Sequence, residues 1–242
     1  MAESALFRGV AVRESDIRLA PRHSATVRTT HWIVSLSFAG LLVSGVAILL
    51  AHPRLYWGET GAFGTPSLLD LPIPYSLGHS GWGRSLHFLS AWVCVLAGIV
   101  YALSGFLTQH FRRDLMPAKA EMAWGQISPV IWAHLRWTRP AEEELPRYNV
   151  LQKLTYLCVV FVLFPLIILS GLAMSPAITS LVPWLVDGFG GQQSARTVHF
   201  FLAGFLALFV VVHVAMVCRA GFASRMRGMI ASADISDGKA RR

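Results

Sequence analysis

The chain has 242 residues, of which 54% are hydrophobic and 14% are charged, and its mean hydropathy is +0.52. This composition excludes a large soluble domain and indicates an integral membrane protein. The net charge of +8 does not indicate nucleic-acid binding, because the basic residues lie at the ends of apolar runs and form no aromatic-interleaved patch. They fit the cytoplasmic face of a membrane, where Lys and Arg accumulate.

Residues 1–30 are polar and basic, and we expect them to form a cytoplasmic tail. The run 31–51 contains no charged residue and is long enough to cross a bilayer, so it is the first predicted membrane span. No clear cleavage site follows it, and we expect it to be retained. Residues 52–83 then form a long loop rich in Gly and Pro, whose histidines His52 and His79 are expected at the surface.

The second span is predicted over 84–108. In the basic segment that follows, residues 127–137 are predicted to form a short amphipathic helix at the membrane interface, with His134 as an interfacial side chain. The third span is predicted over 150–174, with a kink at Pro165, which lacks a backbone N–H.

The fourth span is predicted over 196–218, and a basic tail covers 219–242. With both termini in the cytoplasm, all of the 21 Lys and Arg residues lie inside except Arg54, Arg84 and Arg196. This strong bias follows the positive-inside rule. The sequence therefore predicts an all-α integral membrane protein, a bundle of four transmembrane helices with both termini cytoplasmic, in the bacterial inner membrane.

The three cysteines lie inside apolar runs and form no CxxC or CxxCH pattern: Cys94, Cys158 and Cys218. Disulfides, structural zinc and a covalently attached c-type haem are therefore not expected.

Two histidines lie in the fourth span. At about 1.5 Å and 100° per residue, the step from His199 to His213 covers about 21 Å and nearly four whole turns. Both imidazoles therefore share one helix face at two depths of a hydrocarbon core about 30 Å thick. Each must be satisfied by a hydrogen-bond partner on another helix or by a metal.

Matching histidines occur at the same two depths on other spans. His31 lies near the inner end of the first span, at the level of His213. His87 lies near the outer end of the second span, at the level of His199. Two layers of two histidines on different helices are what bis-imidazole ligation of two haems in a four-helix bundle requires. Zinc is a poorer candidate, because it prefers four protein or water ligands and no acidic or thiolate residue lies at either level.

An arginine precedes three of these histidines by three positions. The pairs are Arg28 with His31, Arg84 with His87, and Arg196 with His199. At this spacing both side chains share a helix face, so the guanidinium could bind a haem propionate. Ordinary positive-inside anchoring is the favoured explanation for Arg28. It explains Arg84 and Arg196 less well, because both oppose the charge bias.

The sequence resembles the bacterial di-haem cytochrome b family that forms the membrane subunit of nickel-iron hydrogenases, formate dehydrogenases and thiosulfate reductases. The resemblance extends over roughly residues 21–219 and rests on the motifs RTTHW (28–32), RSLHF (84–88), RYNVLQKLTY (147–156), RTVHF (196–200) and HVAMV (213–217). It implies two non-covalent haems b, with the first-span histidine paired with the inner histidine of the fourth span.

The same resemblance implies a quinone site beside the inner haem, near the start of the third span. The corresponding polar residues are Tyr148, Asn149, Gln152 and Lys153. A polar helix start at the membrane interface is an equally good explanation of these residues.

The expected function is that of a membrane subunit that moves electrons between the quinone pool and a periplasmic redox partner, either a molybdopterin-type oxidoreductase or a hydrogenase. Quinone, lipid and the partner subunit are the expected partners. Two alternatives stay open. One is a self-contained haem b quinone oxidoreductase that reacts with a small periplasmic substrate such as superoxide. The other is a haem-free transporter or structural anchor.

Overall fold

Four long apolar helices form the body of the protein in the computed structural model, which describes residues 24–61, 64–72, 81–118, 121–135 and 150–230. All four are long and apolar enough to cross a membrane: α1 (Ala25–Ala51), α2 (Gly81–Leu107), α4 (Val150–Ala173) and α7 (Gln192–Arg219). The prediction of a four-helix membrane bundle is confirmed.

Shorter elements connect or follow these spans. They are a two-residue antiparallel ladder of β1 (Arg54–Leu55) and β2 (Leu69–Asp70), a π-helical turn (Phe111–Leu115), and the helices α3 (Trp124–Leu135), α5 (Pro176–Thr179), α6 (Pro183–Gly188) and α8 (Phe222–Ile230). α3 covers residues 127–135 of the short helix predicted over 127–137 and includes His134; residues 136 and 137 lie outside the described residues. Most of the predicted tails, residues 1–23 and 231–242, lie outside the described residues, as does His79.

The first span begins at Ala25, before the predicted start at His31. Ser24 caps this helix, because its side-chain oxygen accepts a hydrogen bond from the Val27 amide at 3.3 Å. Thr30 donates its hydroxyl to the Thr26 carbonyl at 2.8 Å. Polar side chains in this first turn are therefore satisfied by the helix itself, and polarity alone does not mark its start.

Proline changes the geometry of the third span. A five-residue π-helical turn, Val159–Leu163, lies just before Pro165 and separates two α-helical segments, Val150–Cys158 and Phe164–Ala173. Proline cannot donate to the preceding turn, and its ring clashes with the carbonyl there. A wider turn relieves both problems, so the predicted kink takes the form of a π-bulge.

Small residues mediate the packing between the spans. α1 packs along α2, and the second half of α4 packs along α7. Gly40 lies so close to α2 that an added Cβ would be 2.6 Å from the Ser90 Oγ. Large apolar side chains such as Leu36 and Leu107, which are 78% and 85% exposed, point outward. This arrangement is typical of helices that pack within lipid.

The first connecting loop is bound to the start of α7. The Gly58 carbonyl accepts from the amides of Gln193 and Ser194, at 3.0 and 3.2 Å, and the Gly58 amide donates to the Ser194 Oγ at 2.7 Å. The Thr197 hydroxyl donates to the Tyr56 carbonyl at 2.6 Å. The loop therefore satisfies backbone groups at the α7 N-terminus that would otherwise lack partners.

Candidate functional site

The four predicted histidines form two pairs in the structure. The ring centroids of His31 on α1 and His213 on α7 are 6.4 Å apart, and those of His87 on α2 and His199 on α7 are 6.2 Å apart. The two α7 histidines, His199 and His213, are separated by nearly four helical turns, so the pairs lie at two levels of the bundle. We call them the inner pair (His31, His213) and the outer pair (His87, His199), after the orientation predicted from the charges.

Both ring separations fit two imidazoles that face one metal ion. Imidazole nitrogen binds a metal at about 2.0–2.1 Å, and the ring centre lies about 1.1 Å behind that nitrogen, so opposed ligands have centroids somewhat over 6 Å apart. The planes within the inner and outer pairs are inclined by 52° and 60°. The rings are therefore not stacked on each other.

A buried serine fixes each ring of the outer pair. The Ser44 Oγ lies 3.0 Å from the His87 Nδ1, and the Ser170 Oγ lies 3.0 Å from the His199 Nδ1. Both serine side chains are fully buried, on α1 and α4 respectively. Each outer histidine is thus held by a helix other than its own, and its Nε2 remains available for a metal.

The two serines are each followed by a glycine that lies against the same imidazole. A Cβ added at Gly45 would be 3.8 Å from the His87 Cε1, and one added at Gly171 would be 3.3 Å from the His199 Cε1. The serine–glycine step therefore provides a hydroxyl for the ring nitrogen and leaves space for the ring edge.

The inner pair has a different environment. The His31 Nδ1 is buried and has no hydrogen-bond partner among the described residues. The Trp32 ring meets His31 edge-on at 5.4 Å, and Phe209 stacks on His213 at 5.7 Å with an angle of 27° between the planes. Aromatic contacts, rather than hydroxyl groups, orient the rings at this level.

Neither pair is part of a larger ligand cluster. Within the described ranges, no group of three His, Cys, Asp or Glu side chains could hold a metal ion. A metal held by two opposed imidazoles at either level would need its remaining ligands from a non-protein group. A porphyrin supplies four equatorial nitrogens and leaves the two axial positions to the protein, so the donor set fits haem.

Positive charge collects near the outer pair. Burial, followed by the charges of Arg196 and Arg84, lowers the pKa of His52 at the end of α1. Arg196 donates a hydrogen bond to the His52 carbonyl, and within the described ranges no carboxylate forms an ion pair with Arg84 or Arg196. These cations lie at the outer end of the bundle without local neutralisation. Arg28 lies on α1, one turn before His31.

The predicted quinone residues are only partly described. Tyr148 and Asn149 lie outside the described residues, and Gln152 and Lys153 lie in the first turn of α4. The Lys153 Nζ donates to both carboxylate oxygens of Glu121, at 2.9 and 3.1 Å. This hydrogen bond from Lys153 is the main reason that the pKa of Glu121 is lowered. The ion pair joins the start of α4 to the segment that precedes α3.

A family model described as prokaryotic cytochrome b561 matches residues 22–231 of the chain. The chain belongs to the prokaryotic cytochrome b561 family. This cytochrome is therefore a multi-pass protein of the bacterial inner membrane that carries haem b and transfers electrons. The haem-free transporter or anchor considered from the sequence is excluded by this membership.

Three relatives extend the comparison. A protein of Azospira oryzae named as a protein-methionine-sulfoxide reductase subunit, YedZ1, is 27% identical over 198 residues, which cover 81% of this cytochrome and 89% of the relative. Proteins named as Ni/Fe-hydrogenase B-type cytochrome subunits are 24% identical in Azotobacter chroococcum and 25% identical in Azotobacter vinelandii, each covering 84% of this chain and 82% of the relative. No solved structure matches the chain.

Sequence reasoning missed several groups that shape this cytochrome's site. Neither Ser44 nor Ser170 is among the site residues predicted from the sequence. A sequence signal for the two serines was present, because the segments VSGVA (43–47) and LSGLA (169–173) have the same pattern of residue types on two spans. The contacts of Glu121 and of the first loop join residues far apart in the chain and leave no local pattern.

Proposed function

We propose that this cytochrome binds two haems b, one between each histidine pair, and passes single electrons across the membrane between a periplasmic redox subunit and quinone. The observation that supports this proposal most directly is the presence of two cross-helix imidazole pairs, 6.4 and 6.2 Å between centroids. The two α7 members of these pairs, His199 and His213, are separated by about 21 Å along the helix.

In this proposal His31 and His213 hold the inner haem, and His87 and His199 hold the outer haem. Each haem supplies a one-electron couple. The protein would hold each haem through imidazole nitrogens, exclude water, and orient the imidazoles through Ser44, Ser170 and the neighbouring aromatic rings. Anchoring both haems to α7 keeps the two redox centres at a fixed separation.

Arg84 and Arg196 would bind the propionates of the outer haem. Two observations support this assignment. The charges of Arg84 and Arg196 both act on His52, and neither arginine has a carboxylate partner within the described ranges. The two arginines also lie one turn before His87 and His199. Two propionates would neutralise two guanidinium groups through charge-assisted hydrogen bonds. Arg28 would play the same part at the inner level, in addition to anchoring the helix at the cytoplasmic face.

We place the quinone at the inner level, near Tyr148, Asn149, Gln152 and Lys153. Amide and ammonium groups can donate to a quinone carbonyl, and a site on the cytoplasmic side gives access to the two protons taken up in two-electron quinone reduction. Gln152 and Lys153 are the candidate donors among the described residues, and Lys153 also forms an ion pair with Glu121. This placement assumes that both termini are cytoplasmic, as the distribution of Lys and Arg indicates.

The partner would be a redox subunit on the periplasmic side. Each of the three relatives is named as a subunit, which favours an electron-transfer subunit over the self-contained oxidoreductase that reacts with superoxide. Mild-detergent purification separates the two. A subunit should co-purify with a molybdopterin or nickel-iron protein, whereas a self-contained enzyme would be isolated alone and would reduce quinone with superoxide as donor.

Single substitutions of the histidines test the two-haem assignment. His87→Ala should remove the outer haem and spare the inner one, and His31→Ala should do the reverse, as followed by redox-difference spectra of purified protein. His110→Ala is the matched control, since His110 lies beyond the end of α2 and outside both pairs; it should leave both spectral components. Loss of the same component in His87→Ala and His31→Ala would show that the pairing is wrong.

A further inference from the structure

The protons of the two buried serines define how the outer histidines are bonded. The Ser44 Oγ lies 2.7 Å from the Gly40 carbonyl, and the Ser170 Oγ lies 3.0 Å from the Ile167 carbonyl. A carbonyl oxygen only accepts and a serine hydroxyl has one proton, so donation to the carbonyl leaves the serine oxygen as an acceptor. The serine oxygen then presents a lone pair to the histidine 3.0 Å away.

With the serine proton on the carbonyl, the Nδ1 atoms of His87 and His199 carry the protons in their hydrogen bonds to the serines. In a neutral imidazole the other nitrogen, Nε2, then has its lone pair free, which is the form that binds a metal. The two serines therefore fix both the tautomer and the ring orientation before any metal is bound. No described residue provides the same bond to the His31 Nδ1 at the inner level.

An acceptor on the distal nitrogen of an imidazole raises the basicity of the nitrogen that binds the metal. A more basic ligand stabilises the oxidised iron more than the reduced iron, because the oxidised iron carries one more positive charge. Hydrogen bonds from both axial ligands to neutral oxygen acceptors thus lower the reduction potential of the haem between them.

We propose that Ser44 and Ser170 are positioning residues for the outer haem, which select the Nε2-binding tautomer of His87 and His199 and lower the reduction potential of that haem alone. This inference rests on the proposed two-haem function. It assigns a tuning role to the Ser44–Gly45 and Ser170–Gly171 steps, which lie on the two spans that contribute no outer ligand themselves.

The test is a redox titration of purified Ser44→Ala and Ser170→Ala proteins, followed optically and by the electron paramagnetic resonance signal of each oxidised haem. Both variants keep all four histidines and should still load haem. Ser37→Ala is the matched control, because Ser37 is also buried on α1 but donates only to the Ile33 carbonyl, at 2.8 Å.

Loss of one hydrogen bond should shift the one-electron equilibrium of the outer haem about fivefold to tenfold, which raises its midpoint potential by about 40 to 60 mV. The inner haem should not change, and the double variant should show a larger rise. An unchanged outer potential in both single variants, or an equal shift in Ser37→Ala, would overturn the inference. If the protein still binds two haems in that case, the proposed function stands. Parent protein without two haems would instead overturn the proposed function.

Discussion

The two glycines beside the outer imidazoles differ in how much space they leave, and this difference predicts unequal effects of the same substitution. Carbon atoms in contact prefer separations of about 3.5–4.0 Å. An added Cβ at Gly45 would lie 3.8 Å from the His87 Cε1, an ordinary contact, whereas at Gly171 it would lie 3.3 Å from the His199 Cε1. Gly171→Ala therefore overpacks the outer site, and Gly45→Ala does not.

The His199 ring has little room to move away from the new methyl group. Its Nδ1 is held at 3.0 Å by Ser170, and its Nε2 would be held by the haem iron. Overpacking of this kind costs about 1–3 kcal/mol, which corresponds to roughly fivefold to 150-fold weaker haem binding. For Gly45→Ala we expect less than about a twofold change, because its contact lies within the normal range.

The assay uses a His31→Ala background, in which only the outer haem should remain. The rate at which this haem passes to excess apomyoglobin reports its dissociation, and Soret absorbance follows the transfer. Gly171→Ala should lose haem much faster than Gly45→Ala. Equal rates in the two variants, or faster loss from Gly45→Ala, would refute the packing geometry proposed around the outer haem.

Three further predictions concern the inner level and the loop. Gln152→Leu should keep both haems but slow haem reoxidation by added quinone in stopped-flow measurements, since an uncompensated hydrogen bond weakens binding by about 1–3 kcal/mol; unchanged rates would move the site elsewhere. Because Lys153 lowers the pKa of Glu121, Glu121→Gln should lower the thermal unfolding temperature at pH 7, and the difference should shrink as the pH falls below about 4.3; a pH-independent difference would contradict this. Thr197→Val should free the Tyr56 carbonyl and speed proteolysis of the first loop, whereas equal cleavage rates would show that this hydrogen bond does not hold the loop.

The fold could be predicted from the sequence because membrane spans depend on length and polarity along a continuous run. The four predicted spans occur as helices in the structure, although α1 begins earlier than predicted because Ser24 and Thr30 bond to the helix backbone itself. The two histidine levels could also be inferred, since depth in a bilayer follows from position along a helix of known rise. The imidazole rings lie in the same two pairs that the expected depth of each histidine in the bilayer had indicated.

Other features could not be derived in this way, because they depend on contacts between distant parts of the chain. The bond from Ser170 to His199 requires α4 to pack on α7 in one rotation, and nothing local in the sequence specifies that rotation. The same holds for the attachment of Gly58 to the start of α7. The π-helical turn before Pro165 could be foreseen only as a kink, since proline disrupts a helix without dictating how the disruption is accommodated.

The haem content of the purified protein tests the central claim most directly. A pyridine haemochrome assay, calibrated against chain concentration from amino-acid analysis, measures non-covalent haem b per chain. The two imidazole pairs predict two haems per chain, both extractable with acidified acetone because the sequence has no CxxCH motif. A value of one haem per chain, or none, would contradict the account.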